Sequence, residues 1–148
     1  LKISTKGRYG LRAMVDLAIS SHGEHVALNS IAQRQSISEN YLEQVFASLR
    51  KAGLVKSVKG AQGGYILSRK ASDISIGDVL RVLEGNLSVI DSEKIEDKDT
   101  SSLQYCIKKN LWDKLDEGIN DLVDSVTLED LANEYNRING THSIMYYI

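Results

Sequence analysis

Thirty residues, Ser38 to Leu67, set an amphipathic helix directly before two short strands around a glycine-rich turn, and few folds accept that order. In S-E-N-Y-L-E-Q-V-F-A-S-L-R-K-A-G, the residues Leu42, Val45, Phe46 and Leu49 recur at helical spacing and predict a buried stripe ending at a glycine stop. Asn40, Glu43, Gln44, Ala47 and Lys51 fall on the opposite face, so side chains able to meet base edges project together. The following L-V-K-S-V-K-G-A-Q-G-G-Y-I-L predicts strands over 55–58 and 64–67, with three glycines relieving a tight left-handed turn. A polar-faced helix followed at once by a basic hairpin is the pattern of a winged helix-turn-helix.

Upstream, Ser4 or Thr5 can cap a first helix whose stripe is Leu11, Met14, Val15, Ala18 and Ile19, with Lys6, Arg8 and Arg12 at its basic start. A short second helix around N-S-I-A-Q-R-Q leads to the turn Ser36-Ile37-Ser38, where Ser38 caps the recognition helix. Downstream, Ala71-Ser72-Asp73 is a turn, and Ser75-Ile76-Gly77-Asp78 is a capping box opening a helix to Glu84 with Ile76, Val79, Leu80 and Leu83 inward. The acidic stretch 88–102 then has the polarity of a solvated loop.

From Leu103 onward the apolar pattern is the most regular in the chain. Leu103, Ile107, Leu111, Leu115, Ile119, Leu122 and Val126 fall three or four apart, widened by Trp112 and Val123. Such a helix spans roughly 36 Å, more than a small domain needs for its own core, so it is expected to pack against a twin. Thr127 to Asp130 is a second capping box, opening a short helix to about Tyr135. Asn139-Gly140 precedes an apolar, β-prone tail, T-H-S-I-M-Y-Y-I. The expected organisation is a winged helix-turn-helix domain over 1–70, a connecting helix over 71–87, the acidic loop, a dimerisation helix and short helix over 103–136, and the tail 137–148.

The net charge of −2 conceals a division along the chain. Residues 1–70 carry eleven Lys and Arg against four Asp and Glu, whereas residues 71–148 carry seven against sixteen. Only the first part has the electrostatic footprint of a phosphate-binding face. No apolar run approaches membrane-spanning length and the amino terminus has no signal core, so a cytoplasmic protein without a membrane partner is expected. Cys106 is the single cysteine, which agrees with a reducing compartment.

The motifs I-S-T-K-G-R-Y-G-L at 3–11, S-I-A at 30–32, Y-L-E-Q at 41–44, L-R-K-A-G-L-V at 49–55, G-A-Q-G-G-Y at 60–65 and T-L-E-D-L at 127–131 together resemble the Rrf-two family of bacterial winged-helix transcription regulators. The resemblance extends to about Ala132. It implies a mainly α fold with a small β-hairpin wing, a homodimer joined by a long helix, and a pseudo-palindromic double-stranded DNA operator. Several branches hold an iron–sulfur cluster on three cysteines. Here Cys106 matches the last of the three, the loop from Ser88 to Tyr105 lacks the others, and Lys109 stands where some members have a histidine. One thiolate does not hold a cluster that needs several protein ligands, so no cofactor is expected. With G-D-V-L-R-V-L-E-G at 77–85, the chain is most similar to the cluster-free branch that represses cysteine and sulfur metabolism. That branch implies O-acetylserine thiol-lyase, the cysteine synthase, as a signalling partner.

On the recognition helix, Glu43 can accept from cytosine N4 and Gln44 can bond adenine at N6 and N7, each good contact discriminating by about 1–3 kcal/mol. Asn40 shares their face, Tyr41 holds a phosphate or packs at the flank, and Ser38 and Lys51 mark the helix ends. Thr5, Lys6, Arg8 and Arg12 suit backbone phosphates, which position a protein without reading sequence. On the wing, Lys56, Lys59, Gly60 and Gln62 are expected against backbone or minor groove. Relatives usually carry arginine at the place of Lys59, and a lysine supplies charge without the planar fork. Cys106, with Lys108 and Lys109 close in sequence, is a candidate redox thiolate, against the plainer reading of a half-buried small residue. His22, Glu24 and His25 make a weak metal triplet in a loop where histidines are usually just solvated.

No phosphate loop, paired metal motif or Gly-x-Ser-x-Gly occurs, and no enzyme activity is expected. The alternatives to a sulfur-metabolism repressor are a family member that senses redox or nitrosative stress or controls iron–sulfur assembly, and a winged-helix adaptor that binds protein instead of DNA.

Overall fold

A computed structural model describes residues 1–61, 63–91 and 99–147, with side chains as far as residue 140. Helix α1 runs Thr5–Ser20, α2 Leu28–Gln35 and α3 Glu39–Lys51. The choice left open at the first cap falls on Ser4, whose hydroxyl accepts from the Gly7 amide, and Thr5 is the first helical residue. Ser38 caps α3 by accepting from the Tyr41 amide, satisfying one of the donors a helix start leaves unpaired.

Strands β1, Val55–Val58, and β2, Gly64–Leu67, pair antiparallel with Val55 opposite Leu67 and Val58 opposite Gly64. A bridge from Tyr65 to Val26 ties the hairpin to the segment before α2, and the Tyr65 ring packs 5.0 Å from Phe46 of α3. The wing is thereby fixed both to the segment before α2 and to α3. Of the three turn glycines, Gly60 alone takes a positive φ, +124°. Gly64 answers a different need, since a Cβ there would collide with the Val26 backbone carbonyl.

A short 3-10 turn, Ala71–Asp73, leads into α4, Ile76–Glu84, opened by the reciprocal capping box of Ser75 and Asp78. Helix α4 lies against α1 and α3. The approach to α1 is close because α1 offers glycines there: a Cβ on Gly7 would meet the Glu84 carboxylate, and one on Gly10 the Leu83 side chain. Glu84 in turn accepts from the Ser4 hydroxyl and amide.

The long helix forms in three consecutive segments: α5, Leu103–Ile107, a π-helical turn, Lys108–Trp112, and α6, Asp113–Ser125. Residues four apart drift by about 40° per step around an α-helix of 3.6 residues per turn. The wider π turn takes up part of that drift, and Ile107, Leu111 and Leu115 are similarly exposed at 38%, 45% and 42%. Helix α7, Leu128–Tyr147, then continues where a short helix and a break at Asn139-Gly140 were expected. The Asn139 amide bonds the Tyr135 carbonyl at 2.8 Å, one turn back, and a helix tolerates one interior glycine at about 1 kcal/mol.

The core gathers Met14 and Leu17 of α1, Ile31 of α2, Leu42, Val45, Phe46 and Leu49 of α3, Val79 of α4 and Leu128 of α7. The α1 stripe is rotated from its expected setting. Ala13, Met14 and Leu17 are buried with Gly10, while Leu11, Val15, Ala18 and Ile19 are only half-buried, because the glycine edge of α1 is the one α4 covers.

Candidate nucleic-acid interface

Burying Leu42, Val45, Phe46 and Leu49 forces the opposite face of α3 outward, so Asn40, Glu43, Gln44, Ala47 and Lys51 are all exposed. Glu39 and Arg50 extend that face. Between it and the wing lies an open cleft of about 610 Å³, with Glu39 and Glu43 on one wall, Ser57 to Ala61 on the other, and Ala27, Leu28 and Asn29 at one end. Glu43 and Lys59 therefore flank one groove. Asn29 at that end did not stand out in the sequence, because its placement depends on the Val26–Tyr65 bridge.

Other predicted contacts lie on β1, at the wing turn, on α1 and at the start of α3. Lys56 is exposed on β1, Gly60 at the wing turn, and Lys6 and Arg8 on the first turns of α1. Arg8 donates to the Thr5 hydroxyl at 3.1 Å, which draws the two into one unit at the helix start. Ser38 is spent on its cap. Tyr41 is half-buried and meets Tyr9 edge-on at 6.1 Å, so the flank-packing alternative fits it better than a free phosphate contact. Gln62 lies outside the described residues.

On the long helix, Leu103 and Leu122 are 74% and 64% exposed, forming an apolar strip with Ile107, Leu111 and Leu115. Trp112 is half-buried, and Ile119 and Val126 pack partly against the protomer's own core with Val123. The apolar stripe thus serves two surfaces, Ile119, Val123 and Val126 holding α6 to the core while Leu103, Ile107, Leu111, Leu115 and Leu122 face outward. Arg81 of α4 clamps α6, donating to Asp124 at 2.7 and 2.9 Å and to Asn120 at 2.7 Å. Their mutual hydrogen bonding and charge raise the Arg81 pKa and hold the Asp124 carboxyl below the usual range. Asp116 receives the Val89 amide and Ser88 hydroxyl at 2.8 and 2.9 Å, anchoring the beginning of the acidic loop.

Cys106 is exposed, with the Asn110 amide 3.7 Å from its sulfur. Lys108 and Lys109 both turn to Asp113, at 3.0 and 3.5 Å, and their bonds pull the Asp113 carboxyl down in pKa. The cations adjacent in sequence are therefore engaged by a carboxylate. The donor set does not fit an iron–sulfur cluster: one cysteine in the whole chain, beside a lysine–aspartate cluster in place of further thiolates. Among the described residues no three metal-ligating side chains come together, and no helix is long and apolar enough to cross a membrane.

Comparison with known proteins gives this geometry a context. The family model named Rrf2, described as iron-dependent transcriptional regulator, matches residues 3–134. The HTH-type transcriptional regulator CymR of Bacillus subtilis is 48% identical over 133 residues, covering 89% of this chain and 90% of that protein. The solved structure of CymR, described as the global cysteine regulator of B. subtilis, superposes with a TM-score of 0.76 at 46% identity, covering 90% of this chain and 98% of that one. The solved structure of T. potens IscR gives 0.73 at 48% identity, covering 93% and 90%. The winged-helix fold of these regulators is the one described above.

Proposed function

From the premise that this chain belongs to the Rrf2 family of transcriptional regulators, we propose that it is a homodimeric, sequence-specific DNA-binding repressor of cysteine and sulfur metabolism genes that works without an iron–sulfur cluster. The observation that carries the proposal is the exposed polar face of α3 set across a groove from the basic wing, on the half of the chain where positive charge is concentrated. A recognition helix inserts its exposed side chains in the major groove, and a twin copy reads a second half-site about one helical turn away. Lys59 at the groove, with Lys6, Arg8 and Lys56 beyond it, supplies phosphate contacts, while Glu43 and Gln44 supply discrimination. The apolar strip from Leu103 to Leu122 is the surface on which the second copy packs.

The sulfur-metabolism assignment is supported by the likeness to CymR, described as a global cysteine regulator, and by a donor set unsuited to a cluster. O-Acetylserine thiol-lyase is the partner this assignment would bring. A second reading, control of iron–sulfur assembly or of a stress response, is favoured by the comparable identity to IscR.

Mapping the chromosomal sites occupied by the protein separates the two. Sites upstream of sulfur-assimilation and cysteine-synthesis genes support the first, whereas sites confined to iron–sulfur assembly or nitrosative-stress genes overturn it. Iron and sulfide analysis of anaerobically purified protein provides an independent check. Neither should be present in stoichiometric amount, and a stoichiometric pair with cluster absorbance would end the cluster-free account.

A further inference from the structure

A second cleft, of about 470 Å³, opens along α1, between α2 and α7, within the size range of small-ligand sites. Its apolar wall is made by Val15 and Ile19, the α1 residues left half-buried by the rotated stripe, together with Tyr135 of α7. Its polar floor is Asp16, a carboxylate only 4% exposed. Arg34 donates to it through both Nε and Nη2, at 2.8 to 3.3 Å, Gln35 at 2.8 Å and Ser20 at 3.2 Å. A buried carboxylate needs such partners, and here both oxygens are supplied from within the protein. Asp16 is consequently a poor anchor for a cationic ligand.

Arg12 completes the lining and differs in kind. It donates to the Gln35 carbonyl at 3.3 Å and lies over the Tyr9 ring, with no carboxylate partner among the described residues. A guanidinium has five donors in a fork that matches a carboxylate. We propose that this cleft binds a small amphipathic carboxylate, its anionic end on Arg12 and its apolar body against Val15, Ile19 and Tyr135. Such an occupant would bridge α1 and α2 to α7, the helix that follows α6.

Calorimetric titration of the DNA-free, full-length protein with phenylacetate tests this without reference to operator binding. The control is 2-phenylethanol, which keeps the ring and chain but ends in a neutral hydroxyl. Saturable binding of one phenylacetate per chain is expected, at least about tenfold tighter than the alcohol because a charge-assisted hydrogen bond is lost with the carboxylate. Arg12→Gln should weaken phenylacetate by about tenfold and leave the alcohol unchanged, Arg12→Lys should recover part of the loss, and Tyr135→Ala should weaken both compounds. Both positions are exposed, and melting temperature verifies that the variants are folded. Equal affinity for the two compounds, phenylacetate binding indifferent to Arg12→Gln, or no binding up to about 10 mM by folded wild-type protein would overturn the proposal.

Discussion

At the scale of single residues, Glu43 and Lys59 line the same groove between α3 and the wing, and the proposed function gives them different tasks. Glu43→Ala should relax base preference at one operator position, at about 1–3 kcal/mol, and leave nonspecific affinity unchanged or slightly higher. Lys59→Glu should weaken binding to every duplex by a similar factor. Competition titrations over a panel of single-base operator variants distinguish these patterns, and an unchanged panel for both substitutions would remove them from the interface. Glu43, Gln44 and Lys51 were legible in the sequence because burial of four residues on a regular helix determines where the others point. Asp16 was not. A carboxylate inside an amphipathic helix looks solvated until its partners Arg34 and Gln35, eighteen and nineteen residues away, are brought to it by the α1–α2 packing. The role of Gly64 was hidden for the same reason, since the atom it avoids belongs to Val26.

At the scale of elements, α4 joins the two functional halves. Its Arg81 holds α6, and one turn later its Glu84 holds the Ser4 cap of α1, the helix that presents Lys6 and Arg8. Because Arg81 holds the Asp124 carboxyl below its unfolded value, the pair contributes stability above the ordinary aspartate range and loses it as pH falls through the lowered folded value. Arg81→Ala should therefore lower the melting temperature at pH 6 to 7, and the difference from wild type should shrink below about pH 4 as Asp124 becomes protonated in the unfolded chain and then in the folded one. A difference that grew on acidification would contradict the linkage. Capping boxes and strands were legible here, being local: Ser75 with Asp78, Thr127 with Asp130, and the 55–58 and 64–67 hairpin. The end of α7 was not, because Asn139-Gly140 is an ordinary stop signal whose cost the continuing helix offsets.

At the scale of the molecule, positive charge gathers in residues 1–70 and negative charge in residues 71–148, which include the long helix. Periodicity indicated a surface that needs a twin, yet it did not indicate that Ile119 and Val126 would be shared with the protomer's own core, since one sequence stripe can serve two packing partners. Leu115, 42% exposed, is therefore the cleaner probe of dimerisation. Leu115→Glu should sediment as a folded monomer and lose cooperative operator binding, while a dimer of wild-type affinity would locate the interface elsewhere. The central claim, that this chain reads DNA as a basic winged helix, is tested most directly by titrating the wild-type protein onto its selected operator over a range of salt. With six or more phosphate contacts, the affinity should fall by about a thousandfold or more between 50 and 200 mM monovalent salt, along a straight line in log–log form. Binding that is absent at low salt, or indifferent to salt throughout, would contradict the claim and point to a protein-binding adaptor.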